Sequence, residues 1–168
     1  MNGGAWIRPA AAADVDAITG IYNAGIEDRV ATFETRLREP GEVAGWLDEG
    51  RPFLVAERGG QVVGFARVAP YSPRPVYAGV GEHAVYVARE ARGTGLGTQL
   101  LGELVRAAER AGFHKLSSRV FADNAASRAV HRATGFEEVG IQRRHARLDG
   151  RWCDCVLVER LLGDTGRA

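Results

Sequence analysis

Apolar residues recur along this chain at two spacings, and each change from one to the other marks an element. Val15, Ile18, Ile21, Tyr22 and Ile26 fall on one face of a helix, with Asp14 as its N-cap or first-turn residue. Pro40 to Leu47 predicts a second helix, opened by Pro40 and closed at Gly50. The most regular stretch is Leu96, Leu100, Leu104 and Ala108, with Leu101 and Val105 alongside. Glu103, Arg106, Glu109 and Arg110 take its other side, and Gly112 follows its end at Ala111. Asp123-Asn124 opens a short helix over Ala125 to Thr134, stopped by Gly135.

Between these lie strand patterns. Ala5 to Pro9 reads as a short first strand. Phe53 to Glu57 and Gln61 to Val68 flank Arg58-Gly59-Gly60, a hairpin turn. Glu82 to Val87 and Leu116 to Phe121 flank the regular helix, and strand–helix–strand of this length predicts a parallel pair with a right-handed crossover. Glu138 to Arg147 and Trp152 to Leu161 close the pattern as a hairpin through Leu148-Asp149-Gly150. Arg29 to Thr35 is too short and polar for a core element, and its Phe33 is either a loop anchor or a ligand contact. Pro70, Pro73 and Pro75 make Pro70 to Tyr77 an ordered loop or edge, and Gly163 to Ala168 reads as a polar tail. No repeat, low-complexity tract or linker interrupts the chain. One domain is therefore expected over residues 1–168, with an ordered core at about 5–162.

The chemistry concentrates where the strand at Glu82 to Val87 meets the regular helix. Arg92-Gly93-Thr94-Gly95-Leu96-Gly97 puts glycine at every second position as the helix starts. Amides there lack intrahelical partners and sit at the positive end of the helix dipole, which suits a diphosphate. Two other phosphate loops fail on spacing. A Walker A loop needs lysine before its Ser/Thr, but Gly97 precedes Thr98 here. In a dinucleotide fingerprint the third glycine would come one residue later, in a turn that usually opens its domain.

Composition narrows the partners. With 168 residues, 45% hydrophobic, 26% charged and a net charge of +1, the chain suits a globular protein with a full core. Near-neutral charge argues against nucleic acid or an anionic membrane as partner. No apolar run approaches the ~20 residues of a membrane span, and Met1 to Gly4 lacks the layout of a secretory signal. Cys153 and Cys155 are too close to bridge without strain, and no Cys/His cluster completes a metal site. They read as free thiols on a strand. A cytoplasmic protein without a metal is expected.

The Arg92-x-x-Gly95-x-Gly97 turn resembles the pyrophosphate-binding signature of the GCN5-related N-acetyltransferases (GNAT), and the order of elements matches that family over nearly the whole chain. Asn124-x-x-Ser127 followed by Gly135-Phe136 is similar to a second family segment. Ile7-Arg8-Pro9-Ala10, Thr32-Phe33, Glu82-His83-Ala84-Val85-Tyr86-Val87, His131 and Gly150-x-Trp152-x-Asp154 resemble the phosphinothricin acetyltransferase branch. Ile26 to Thr35 and Tyr71 to Pro75 look closest to its arsinothricin-acetylating relatives.

The resemblance implies an α/β fold of α+β mixed-sheet type: a single central, mostly antiparallel sheet with one parallel strand pair, flanked by helices. It implies acetyl-CoA as co-substrate and transfer to the α-amine of a small anionic, glutamate-like amino acid. The phosphinothricin branch commonly forms dimers, so a homodimer is expected. Glu82 matches the branch's catalytic glutamate; an α-amine is mostly ammonium at pH 7, and a carboxylate beside it can take the proton. His131 stands where many family members carry tyrosine, so it is a candidate general acid, although a surface histidine would also explain it. Val85, Tyr86 and Val87 belong to the strand expected to hold the pantetheine arm, whose amides could also stabilise an oxyanion. Arg92, Gly93, Thr94, Gly95, Leu96, Gly97 and Thr98 are expected around the diphosphate, with Asn124 and Ser127 nearby. For the acceptor, Arg74 is the expected anion ligand, with Phe33 and Tyr71 lining the pocket and Arg67 and Arg29 as weaker choices. Other acceptors consistent with the residues are methionine sulfone or sulfoximine, or another amino acid; a peptide or protein acceptor would want a more open, acidic groove than this arginine-rich set suggests. A non-catalytic acyl-CoA sensor would have no use for Glu82 and His131 together.

Overall fold

The computed structural model describes residues 4–167; Met1 to Gly3, part of the leader reading above, and Ala168 lie outside the described residues. Strands β1 (Trp6–Pro9), β2 (Phe53–Arg58), β3 (Gln61–Pro70), β4 (Val80–Val87), β5 (Lys115–Phe121), β6 (Glu137–Leu148) and β7 (Arg151–Leu161) form one sheet. Helices α1 (Val15–Asp28), α2 (Pro40–Asp48), α3 (Leu96–Arg110) and α4 (Ala125–Ala133) cover it. The spatial order is β1-β2-β3-β4-β5-β7-β6, antiparallel everywhere except between β4 and β5. The mixed sheet and its one parallel pair are as the sequence predicts. The order adds what local pattern does not carry: β7 lies between β5 and β6.

Alternation along β3 and β4 sends their side chains to two different layers. On one face Phe65 and Tyr86 stack at 5.2 Å, and Tyr22 of α1 packs edge-on to Tyr86 at 5.0 Å. On the other face α3 buries Leu96, Leu100, Leu101 and Leu104. At about 25 cal/mol per Å² of apolar surface removed from water, this leucine stripe is a main driving force for closing the layer.

Three local readings change. Asp14 holds the N-cap position of α1, but its side chain makes no cap hydrogen bond there. It sits in a 3₁₀ turn (Ala12–Asp14), accepts from the Ala11 N–H at 2.8 Å and pairs with Arg8 at 2.8 Å. The Arg8 hydrogen bond holds its carboxyl below the ordinary aspartate range, so the residue serves as an ion-pair anchor to β1. β4 begins at Val80, ahead of Glu82, because Gly81 leaves the space that lets β4 pair with β5. A Cβ there would lie 2.4 Å from Val68 Cγ1 and 3.0 Å from Leu116 Cδ2. The polar tail is partly ordered: Gly163–Arg167 forms a 3₁₀ turn, with the Gly163 N–H donating to Glu109 at 2.6 Å.

Candidate active site

The parallel pair β4–β5 zips only at Val80↔Lys115, Gly81↔Leu116 and Glu82↔Ser117. Beyond that point β4 continues along β3 to Val87, and β5 continues along β7 to Phe121. The sheet is therefore split down its middle. Hydrogen-bonded pairs alternate in an antiparallel ladder. The Ala88 N–H donates to Val63 O at 2.9 Å, so Tyr86 and Ala84 also turn their backbone groups toward β3. Val85 and Val87 then face the split. That leaves an internal strand edge, a template for an extended amide chain. The Val87 carbonyl is the exception, taken by Arg92 Nε at 3.1 Å.

At the end of this edge comes the glycine turn. Gly93 and Gly95 have φ of +72° and +82°, a region costly for side-chain-bearing residues. A Cβ on either would meet nothing within 4 Å, so these glycines serve backbone conformation more than space. Among the described residues, no backbone N–H from Gly93 to Thr98 meets an acceptor, and the run opens α3. These donors fit a diphosphate. Arg92 runs back over β4, with Nη2 on Asp28 at 2.8 Å, and Arg89 meets the same carboxylate at 2.8 Å. Hydrogen bonds from Arg89 and then Arg92 hold the Asp28 carboxyl low. Thr94 Oγ1 donates to Ala91 O at 2.7 Å, which fixes the turn from within.

Glu82, the last residue of the zipped stretch, is exposed on the face that carries Tyr86. It lines a cleft of about 240 Å³ with Tyr71, Ser117, Ser118, Arg119, Gln142 and Leu157. Tyr71 packs edge-on to Tyr77 at 5.7 Å. Arg74 is exposed at the start of the 3₁₀ turn Pro75–Tyr77, outside that lining. Arg67 lies under Trp46, its guanidinium 4.3 Å from the ring centroid, and Arg29 pairs with Asp149 at 3.1 Å. The residues missed in the sequence are Arg119 and Gln142, on strands that only the sheet order brings beside Glu82. A period-2 reading of β5 in register with Glu82 would have found Arg119.

The loop after α1 roofs the split. Phe33 packs on Phe121 at 4.3 Å, and Asn124 Nδ2 donates to Val30 O at 2.9 Å. Asn124 Oδ1 also accepts the Ser127 N–H at 3.0 Å, which caps α4. A second cleft of about 770 Å³ opens between Arg29–Val30, the start of α4 and the β6–β7 turn.

On the opposite face, His131 is buried and contacts His83 of β4, Nε2 to Nε2 at 2.9 Å. His131 Nδ1 lies 2.7 Å from Ser127 O, which can only accept, so Nδ1 carries the proton. Neutral His131 then accepts at Nε2 from His83 Nε2–H. This leaves His83 Nδ1 bare, in line with its having no hydrogen-bond partner. Burial lowers the pKa of both rings, and for His83 the proximity of His131 adds to it, although the Ser117 backbone opposes the shift. Both rings are thus neutral at pH 7, with neither Nε2 free.

Residues 19–136 match the family model described as Acetyltransferase (GNAT) family. The chain is 38% identical to phosphinothricin N-acetyltransferase of Alcaligenes faecalis, covering 90% of this chain and 81% of that one. It is 34% identical to the L-methionine sulfoximine/L-methionine sulfone acetyltransferase of Pseudomonas aeruginosa, over 96% of this chain and 97% of that protein. The fold superposes with a TM-score of 0.91 on a phosphinothricin acetyltransferase from Sinorhizobium meliloti in complex with acetyl-CoA, at 34% identity, over 96% of this chain and 90% of that one. A sheet split beside an unpaired strand edge and a donor-lined helix start, together with these matches, makes this chain a member of the GNAT family, an N-acetyltransferase that takes its acetyl group from acetyl-CoA.

Proposed function

We propose that this protein acetylates the α-amine of a small, anionic, glutamate-like amino acid such as phosphinothricin or arsinothricin, and so detoxifies it. The observation that carries this reading is the Glu82 carboxylate, open to a small cleft where β4 and β5 part. The acetyl thioester supplies the acyl group when bound. Val85 and Val87 hold the extended arm by strand-like pairing, and the amides of Gly93 to Thr98, with Arg92 behind them, hold the diphosphate. Glu82 accepts the ammonium proton of the acceptor, directly or through water, and frees its lone pair. Tyr71 and Phe33 shape the acceptor side, and Arg74, from the exposed loop before the Pro75–Tyr77 turn, meets the side-chain anion. No covalent enzyme intermediate is needed.

His131 holds α4 to β4 in this reading. A role in protonating the leaving thiolate would require its Nε2 to leave His83. The protein works as a homodimer, a state supported by Trp152, which stands 58% exposed at the β6–β7 turn; sedimentation tests it. No helix among the described residues is long and apolar enough to cross a membrane, consistent with a cytoplasmic site of action.

A second acceptor class, methionine sulfoximine and sulfone, is favoured by the relative of that name, which matches nearly the full length. One experiment separates the two. The protein is incubated with acetyl-CoA and a panel of anionic and neutral amino acids and peptides, and release of free thiol is followed. Fastest turnover is expected with the glutamate-like phosphinates and arsinates. Turnover of neutral amino acids or peptides alone would overturn the anionic reading.

A further inference from the structure

Most arginines near the split already sit against a carboxylate. Arg29 pairs with Asp149, Arg89 and Arg92 with Asp28, and Arg128 and Arg132 with Glu138. Arg119 differs. It lies two residues beyond Ser117, the register partner of Glu82, so strand alternation puts its side chain on Glu82's face. Its Nε donates to Gln142 Oε1 at 2.9 Å. Among the described residues, no carboxylate forms an ion pair with it and neither Nη has a partner. Gln142 is neutral, so it orients the guanidinium without cancelling its charge.

Both Arg119 and Glu82 line the same cleft of about 240 Å³, room for one small molecule. An α-amino acid carries its amine and its carboxylate on one carbon. When Glu82 meets the nitrogen, the carboxylate must lie within the same cleft, where the lining cation is Arg119. We propose that Arg119, oriented by Gln142, binds the α-carboxylate of the acceptor and restricts the enzyme to α-amino acids. This rests on the amino-acid reading above. It gives Arg119 a different group from the one met by Arg74, since a guanidinium fork matches a carboxylate in two parallel hydrogen bonds.

The test compares acceptors that differ only in that group: an L-amino acid and its α-carboxamide, measured for phosphinothricin and for methionine sulfone. The wild-type protein is expected to prefer the acid in both pairs. Arg119→Ala should lower kcat/KM for both acids by about 10- to 100-fold, mainly through KM, and affect the amides far less, so that the preference collapses. KM for acetyl-CoA should hold, and Arg119→Lys should recover part of the preference. A thermal melt establishes that each variant is folded. If the wild type acetylates no amino acid, the functional reading itself fails. If the wild type prefers acids and folded Arg119→Ala keeps that preference, only the Arg119 assignment fails. A loss confined to phosphinothricin would move Arg119 to the side-chain anion. Equal losses on acid and amide, with a shifted acidic limb in the pH profile, would make it a tuner of Glu82's charge. Either of these results overturns the proposal.

Discussion

The two halves of this site are built by different means. The proposed co-substrate side is backbone from one continuous run: a bare strand edge at Val85 and Val87, a turn at Gly93 and Gly95, and the opening amides of α3. The proposed acceptor side is side chains from scattered places. Tyr71 comes from the loop after β3, Glu82 from β4, Arg119 from β5 and Gln142 from β6, which β7 separates from β5. The contrast has a chemical basis. Backbone donors bind phosphates and amides whatever the acceptor, whereas selection among acceptors needs charge and shape placed in space.

The sharpest way to break this division is at Glu82. Glu82→Gln keeps the side-chain size and removes the base, so kcat should fall by about 10²- to 10⁴-fold while KM for acetyl-CoA stays near the wild-type value. Recovery of the rate at high pH, where the amine loses its proton unaided, would confirm the role, and an undiminished kcat would remove it. Next in size is Gly95→Ala. A side-chain-bearing residue at φ +82° costs about 1–2 kcal/mol. Coenzyme A binding, measured by calorimetry, should weaken by roughly 10-fold, with little change in acceptor KM. Equal damage to both substrates would show that the two sides are not separable.

Asn124 joins the halves, since one amide caps α4 and also holds Val30 O. Asn124→Ala should cost about 1 kcal/mol of stability and lower Tm by roughly 2–4 °C. Asn124→Asp keeps the capping oxygen but loses the donor to Val30. It should melt near the wild type yet raise acceptor KM. The smallest expected effect is on pH. His83 and His131 are held neutral in the fold, with pKa values below the ordinary histidine value of about 6.5 that both regain on unfolding. The unfolded chain therefore takes up protons that the fold refuses, and stability should fall as pH drops below about 6.5. It should be flat in these two groups above that pH. Melting curves between pH 7.5 and about 5 check the sign, and His83→Phe should flatten the dependence.

The same contrast explains what could be read in advance. The leucine stripe from Leu96 to Leu104, the Gly59-Gly60 and Asp149-Gly150 turns, and the glycine-spaced start of α3 all act over a few residues, and each stands where its pattern predicts. The arginine of the cleft was harder to place. Arg74, within the proline-rich loop, stays outside the cleft lining, while Arg119, one arginine among several on the strands, is part of it. The Asp14 carboxylate likewise had two possible partners, and only the arrival of Arg8 beside it decided between cap and ion pair.

By itself, then, the sequence determined the elements, their order, the parallel pair and the glycine-spaced turn that opens α3, because hydrophobic period, turn chemistry and helix-end amides are local properties of consecutive residues. Tertiary structure alone decided where β4 and β5 part, that β7 enters between β5 and β6, that His83 closes onto His131, and that Arg119 shares a cleft with Glu82. Those facts depend on the register of distant strands, and register is set by how whole faces pack together, which no single stretch of chain encodes.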